Sequence, residues 1–269
     1  MNEIKSYNIK EKKYYDGKKQ VVIYKDNVIM KGQECYNSSY KFLKDQLIDG
    51  DICIDEFAYR NKVNFKRSQR ATLSKVYDIS RCNYWDWFVT FTFAPNKVDR
   101  YDYDKVSKKL KNWIDRVRRT SPYLKYLIVP ELHKDGAYHF HGLFANCEFE
   151  FVDSGKKDKT GNKIYNINSY KLGFTTATKI KNNDAVNKYI AKYLTKELFS
   201  NTKHRKRYWV SRNVDLPEVN ETFNQDVSSE IKKLENSSRL LSRKVKKYTY
   251  TDDMGVEFVN EVYYFELDS

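Results

Sequence analysis

Residues 124–146, LKYLIVPELHKDGAYHFHGLFAN, read as two strands joined at Lys134-Asp135-Gly136. Both flanks are rich in β-branched and aromatic residues, and an Asp-Gly pair accepts the positive φ that a tight reversal needs. Side chains alternate across a strand, so His139 and His141 point to one side while Phe140 and Gly142 point to the other. Register then decides what stands opposite. A two-residue Asp135-Gly136 turn pairs Leu132 with His139 and leaves Glu131 on the wrong face. A three-residue loop, with Gly136 in the left-handed bulge position, sets Glu131 directly across from His139, and we take this register. It yields two imidazoles and one carboxylate with open positions, suited to a divalent ion that polarises a phosphate oxygen. His133 has the parity of Glu131 and competes for the third position from nearer the turn.

Working outward, Trp87–Phe93 (WFVTFTF) is a strand that stops before Pro95, which has no amide proton to add to a ladder. Residues Asp104–Arg119 carry Val106, Leu110, Trp113, Ile114 and Val117 at helical spacing, with Asp102 or Asp104 to cap the start and Pro122 just past the end. The polar residues 153–171 read as an inserted loop at the sheet edge. Gly173–Ile180 returns to strand character, and Asn182 or Asn183 caps a helix running from Asp184 to about Leu198. The order β, α, β, β, β, α predicts an α+β fold, an antiparallel sheet with helices packed on one face.

Residues 19–31 (KQVVIYKDNVIMK) read as an N-terminal hairpin turning at Lys25-Asp26-Asn27, and Ile54 to about Ile79 as a helix with Arg60, Lys62, Lys66, Arg67 and Arg70 in its first half. Past the central region come a basic cluster around His204 (Lys203, Arg205, Lys206, Arg207), a strand near Tyr208–Val214 and a helix near Val227–Leu241. A final hairpin turns at Asp252–Gly255. The chain thus divides into an accessory region at 1–80, a main domain at 81–215, and a C-terminal helix and hairpin at 216–269.

A chain of 269 residues supports one substantial core, or one core with a small appended subdomain. Its 50 Lys and Arg against 36 Asp and Glu give a net charge of +14, which favours a polyanionic partner such as nucleic acid. The 23 Tyr, 15 Phe and 4 Trp supply rings able to stack on unpaired bases, although most must serve the core. Cys35, Cys53, Cys82 and Cys147 form no CxxC pair, so the sequence points to neither a zinc ribbon nor a disulfide framework and fits a reducing cytoplasm. The N-terminal MNEIKSYNIKEKKYY has no apolar core of signal-peptide length, and no run approaches the roughly 20 apolar residues of a membrane helix.

In NKYIAKYLTK (residues 187–196) Tyr189 and Tyr193 stand one helical turn apart and share a face flanked by Lys192 and Lys196. A phenol of pKa about 10 is only about one part in a thousand ionised at neutral pH, so a nucleophilic tyrosine needs a neighbouring cation. Lys192 can favour the phenolate and neutralise charge on an attacked phosphate. The competing reading places Val186, Tyr189, Ile190, Tyr193 and Leu194 in an ordinary core stripe.

Taken with the histidines, these residues resemble the HUH endonuclease superfamily, here through His139-Phe140-His141. FVTFTF is similar to the first motif of the superfamily, ELHKDGAYHFHGLF to the second and YIAKYLTK to the third, in the order of rolling-circle replication initiators of small phages and plasmids. The resemblance covers about residues 85–215. It implies a ferredoxin-like antiparallel palm in which His139, His141 and Glu131 hold Mg²⁺ or Mn²⁺, and Tyr189 attacks a scissile phosphate in single-stranded origin DNA. The products would be a 5′ phosphotyrosine and a free 3′ hydroxyl, with Tyr193 making a second cut and Lys192 assisting. Host DNA polymerase would extend the hydroxyl, and a host helicase is implied because no GxxxxGK[ST] loop exists in the chain. Three rivals remain: a transposase or relaxase of the same superfamily, a non-catalytic single-strand binding module, and a metal-dependent hydrolase using activated water.

Overall fold

Antiparallel pairing around residues 124–146 builds the larger of two sheets. The computed structural model describes residues 5–26, 29–31, 46–50, 53–203, 205–251 and 257–269. Cys35, the turn residue Asn27, His204, the 252–255 reversal and the side chain of Lys196 lie outside the described residues. In chain order the elements begin with β1 (Lys5–Tyr7), β2 (Ile9–Lys13), β3 (Lys19–Tyr24), β4 (Ile29–Lys31) and α1 (Ile54–Cys82). Then come β5 (Trp87–Phe91), α2 (Tyr103–Thr120), β6 (Lys125–Leu132), β7 (Tyr138–Ala145), β8 (Phe151–Lys157), β9 (Lys163–Ile167) and β10 (Thr175–Lys179). After α3 (Asn183–Ile190), a 3₁₀ turn (Ala191–Tyr193) and α4 (Lys196–Asn201), the chain closes with β11 (Trp209–Val210), β12 (Glu218–Thr222), α5 (Val227–Glu235), β13 (Leu240–Thr251) and β14 (Glu257–Leu267). Two compact units result, Arg67–Leu216 and Met1–Lys66 with Pro217–Ser269, and their boundary falls within α1. Among the described residues no helix is long and apolar enough to cross a membrane.

The unit Arg67–Leu216 is an α+β structure around an antiparallel sheet of order β11-β6-β7-β5-β10-β9-β8. One face carries Phe91, Phe140 and Phe144, each fully buried. Against them packs the apolar stripe of α2, with Trp113 at 5.3 Å from Phe91 between ring centroids. Asp102 starts that helix by accepting from the backbone amides of Asp104 and Lys105, which leaves Tyr103 inside the helix as its first buried residue. The tyrosine-bearing segment packs on the opposite face, where Tyr193 meets His141, so helical structure flanks both faces and not one. That second face has its own apolar anchor in Phe88, which a single-sided layer would leave in water.

Residues 153–171 depart from the expected loop by forming the β8–β9 edge hairpin. Its reversal is stabilised by Asp158, whose carboxylate accepts from the amides of Thr160 and Asn162 at 2.8 and 2.9 Å. The carboxyl is pushed down to about 2, chiefly by the Asn162 and Thr160 side chains. The inner strand contacts are tighter. A Cβ on Gly173 would lie 2.3 Å from the carbonyl oxygen of Thr92 and 2.9 Å from the amide of Ala94. Backbone atoms cannot rotate aside, so Gly173→Ala is expected to cost about 1–3 kcal/mol, read as a lower urea midpoint. An unchanged midpoint would mean that this close approach is absent in solution.

In the other unit the expected hairpin around residues 25–27 is replaced by different pairings. Strand β3 pairs with β2, and β4 pairs with β1. The β2–β3 reversal uses Asp16-Gly17: Gly17 has φ +79°, and Asp16 accepts from the amide of Lys18 at 3.0 Å. This second Asp-Gly pair provides a tighter reversal than Lys25-Asp26-Asn27. On its other edge β3 takes β14, completing the order β12-β2-β3-β14-β13. Helix α5 buries Val227, Ile231 and Leu234 against Val21, Ile23, Tyr263 and Phe265, and ends at Glu235, short of the expected Leu241, where β13 takes over.

Candidate functional site

The hairpin of β6 and β7 has the three-residue loop, and Glu131 stands directly across from His139. His133 donates its amide to the carbonyl of Ala137 at 2.9 Å, and Gly136 adopts φ +85°. Glu131 and the histidines therefore share one face, opposite buried Phe140.

His141 is the most constrained of them, at 5% exposure. Its Nε2 lies 2.7 Å from Glu131 Oε2 and its Nδ1 lies 3.0 Å from Thr90 Oγ1. Burial pushes the His141 imidazole below its ordinary pKa, against the pull of Glu131. For Glu131 burial acts upward, but the His141 hydrogen bond and the three neighbouring histidines outweigh it and leave the carboxyl below the usual range. A neutral imidazole beside an ionised carboxylate follows at neutral pH, with Nε2–H donating to Glu131 and the Thr90 hydroxyl donating to Nδ1. Thr90 is the residue that sequence reading missed. Its only signal was a hydroxyl between Val89 and Phe91 in FVTFTF, on the strand that pairs with β7.

His139 is turned elsewhere. Its ring stacks on His133 with centroids 4.9 Å apart and planes 18° apart, while His133 Nδ1 meets Asp135 Oδ1 at 3.1 Å. Burial, then His133, lowers the His139 pKa. Among the described residues no group of three or more His, Cys, Asp or Glu side chains forms a ready metal cage. The donor chemistry nonetheless fits a divalent ion: imidazoles held neutral, a carboxylate held ionised, and a Thr90 hydroxyl able to accept a hydrogen bond from Nδ1 in the tautomer that frees Nε2 as a ligand.

The expected single helix from Asp184 to Leu198 is instead broken. Asn182 caps α3 by accepting from the amide of Ala185, α3 ends at Ile190, and Tyr193 sits in the 3₁₀ turn. The break follows from Thr195, whose side chain accepts from the amide of Leu198 and starts α4 afresh. Tyr189 and Tyr193 remain neighbours, 5.3 Å between centroids and nearly perpendicular. Their environments differ. The Tyr193 ring lies flat on His141 at 3.5 Å, and burial together with its bond to Tyr189 drives its hydroxyl pKa up. Tyr189 is 44% exposed, packs its edge on Phe88, and has the Lys192 ammonium 5.4 Å from its ring centre. The structure thus brings His141, Glu131, Thr90, Tyr193 and Tyr189 to one face, with Lys192 beside Tyr189 and His139 next to the pair but stacked on His133.

No curated protein and no solved structure matches the chain. Residues 86–198, under half of the chain but spanning β5 through the tyrosine segment, match the family model of the replication-associated protein ORF2, which supports a role in DNA replication.

Proposed function

We propose that this protein initiates rolling-circle replication by nicking and rejoining one DNA strand, with Tyr189 as the nucleophile. The observation that carries the reading is the half-exposed Tyr189 with Lys192 against it, on the same face as the Glu131–His141 dyad and inside the replication-associated segment. The Tyr189 phenolic oxygen bonds to the scissile phosphorus as the bond from phosphorus to the 3′ oxygen breaks. The phenolic proton is given up and the departing 3′ oxygen gains one, so the products are a 5′ phosphotyrosine and a 3′ hydroxyl. Phosphodiester energy is conserved in the new bond, which lets the same site rejoin ends without ATP. The Lys192 ammonium offsets charge on the phosphate. His139, His141 and Glu131 would hold Mg²⁺ or Mn²⁺, with His133 as the other candidate for the third position, and the ion would supply Lewis-acid polarisation of a phosphate oxygen. Host polymerase would extend the 3′ hydroxyl behind a host helicase.

The test is to incubate the full chain with Mn²⁺ and labelled single-stranded oligonucleotides tiled across its own replicon, then separate products on a denaturing gel. A labelled protein band is expected, and chelator should remove it. Cleaved DNA without that band would replace the reading with hydrolysis by activated water. Retained but uncut DNA would leave a binding module.

A further inference from the structure

The sheet face that bears His139 and His141 continues beyond the dyad. Thr90, bonded to His141, pairs with Thr176 of β10, which is exposed while Thr175 and Ala177 on either side are buried. Two positions before Thr176, on that same outward side, stands Phe174, 78% exposed. It is fixed in place rather than dangling: the Phe174 carbonyl accepts from the Thr92 amide at 2.9 Å, and its own amide donates to Thr92 Oγ1 at 3.1 Å. Gly173 just before it presses against the backbone of Thr92 and Ala94. The backbone that presents this ring is thus rigid, and the ring itself is left in water.

Beside Phe174 opens a cleft of about 540 Å³, a size typical of sites for small organic groups. Lys97, Lys171, Asn166 and Asn168 line it and no carboxylate does. Asn168 is held between Glu150 and Lys171 at 2.6 and 2.9 Å. Across residues 150–181 seven lysines face three carboxylates. An exposed ring, amides able to bond base edges and a surplus of ammonium groups are the combination that unpaired nucleic acid requires.

We propose that Phe174 and this cleft form a stacking subsite for a base of the single DNA strand, separate from the nicking centre. Strands β7, β5 and β10 are successive neighbours, which puts Phe174 about 10 Å, or two strand spacings, from His139. One strand can therefore occupy both places, with the base on Phe174 setting where the phosphate meets Tyr189. This rests on the reading of the chain as a single-strand nicking protein, but binding can be measured apart from nicking.

The experiment titrates the full chain, with chelator present so that no strand is cut, against a labelled oligodeoxythymidylate and against a duplex. Phe174→Ala is expected to weaken single-strand binding about tenfold, within the range for loss of one stacked base, and to leave duplex binding unchanged. Phe174→Trp should bind at least as tightly as the parent protein. Equal single-strand affinity in Phe174→Ala, or an equal loss on duplex, would overturn the subsite. The adduct assay separates the two proposals. A protein that never forms an adduct yet loses affinity in Phe174→Ala keeps the subsite and loses the nicking role, and the reverse pattern does the opposite.

Discussion

A Tyr189→Phe protein is expected to form no covalent adduct with single-stranded DNA, a loss of at least ~10⁴-fold, while folding and binding DNA as before. The phenolic oxygen is the only atom removed. Its ring is half exposed and keeps its edge contact with Phe88, and the interaction lost is the bond to the Tyr193 hydroxyl, so stability should fall by no more than about 1.5 kcal/mol. The comparison that gives this result meaning is Tyr193→Phe. Tyr193 lies flat on His141, and its hydroxyl is held protonated by burial and by its bond to Tyr189. Removing that hydroxyl should leave the first cut intact and impair only repeated rounds. Labelled oligonucleotide and a denaturing gel read both outcomes. Wild-type adduct levels in Tyr189→Phe, or none in Tyr193→Phe, would exchange the roles of the two residues.

Phe140→Ala should lower stability by about 3–5 kcal/mol, the usual cost of deleting a fully buried aromatic ring. Phe140 is the middle residue of His139-Phe140-His141, and its side chain faces away from the histidines. Its ring meets Trp209 at 5.3 Å, Phe93 at 5.8 Å and Tyr103 at 6.4 Å between centroids, so it joins β11, the segment after β5 and α2 to one strand. The loss should appear as a urea midpoint far below that of the parent protein, with the slope unchanged. A loss under about 1 kcal/mol would show that the contacts collapse to fill the space, and that the ring does not anchor the strand that presents the histidines.

The parts of the site that were legible in the sequence are those governed by backbone rules. Lys134-Asp135-Gly136 encodes its own loop, because only one of its three residues tolerates φ +85° at no cost, and that loop sets Glu131 across from His139. Alternation then places Phe140 inside and His141 on the other face. What escaped reading depends on competition between alternatives of similar local merit. Two turn signals, at residues 16–17 and 25–27, bid for β3, and periodicity does not rank them. Apolar spacing continues unbroken from α3 through Leu198, so only the Thr195 side chain, choosing the Leu198 amide, reveals the interruption. Side-chain stacking is harder still: nothing in the sequence tells His139 to lie on His133, or Thr90 to meet His141 from the neighbouring strand.

The pairing of β3 with β14 has a consequence for how the protein is made. Val262 through Leu267 zip onto Tyr24 through Lys19, so one edge of β3 waits for residues translated roughly 240 positions later, a delay on the order of tens of seconds at ribosomal speed. The segment Arg67–Leu216 leaves the ribosome entirely within that interval and has its own sheet and core, so it can fold first. Meanwhile Val21 and Ile23 stay without the cover of Phe265 and α5. A nascent chain stalled before residue 257 would therefore carry one finished unit and, in the other, a naked strand edge, the kind of surface that chaperones bind and that neighbouring chains on a polysome can pair with.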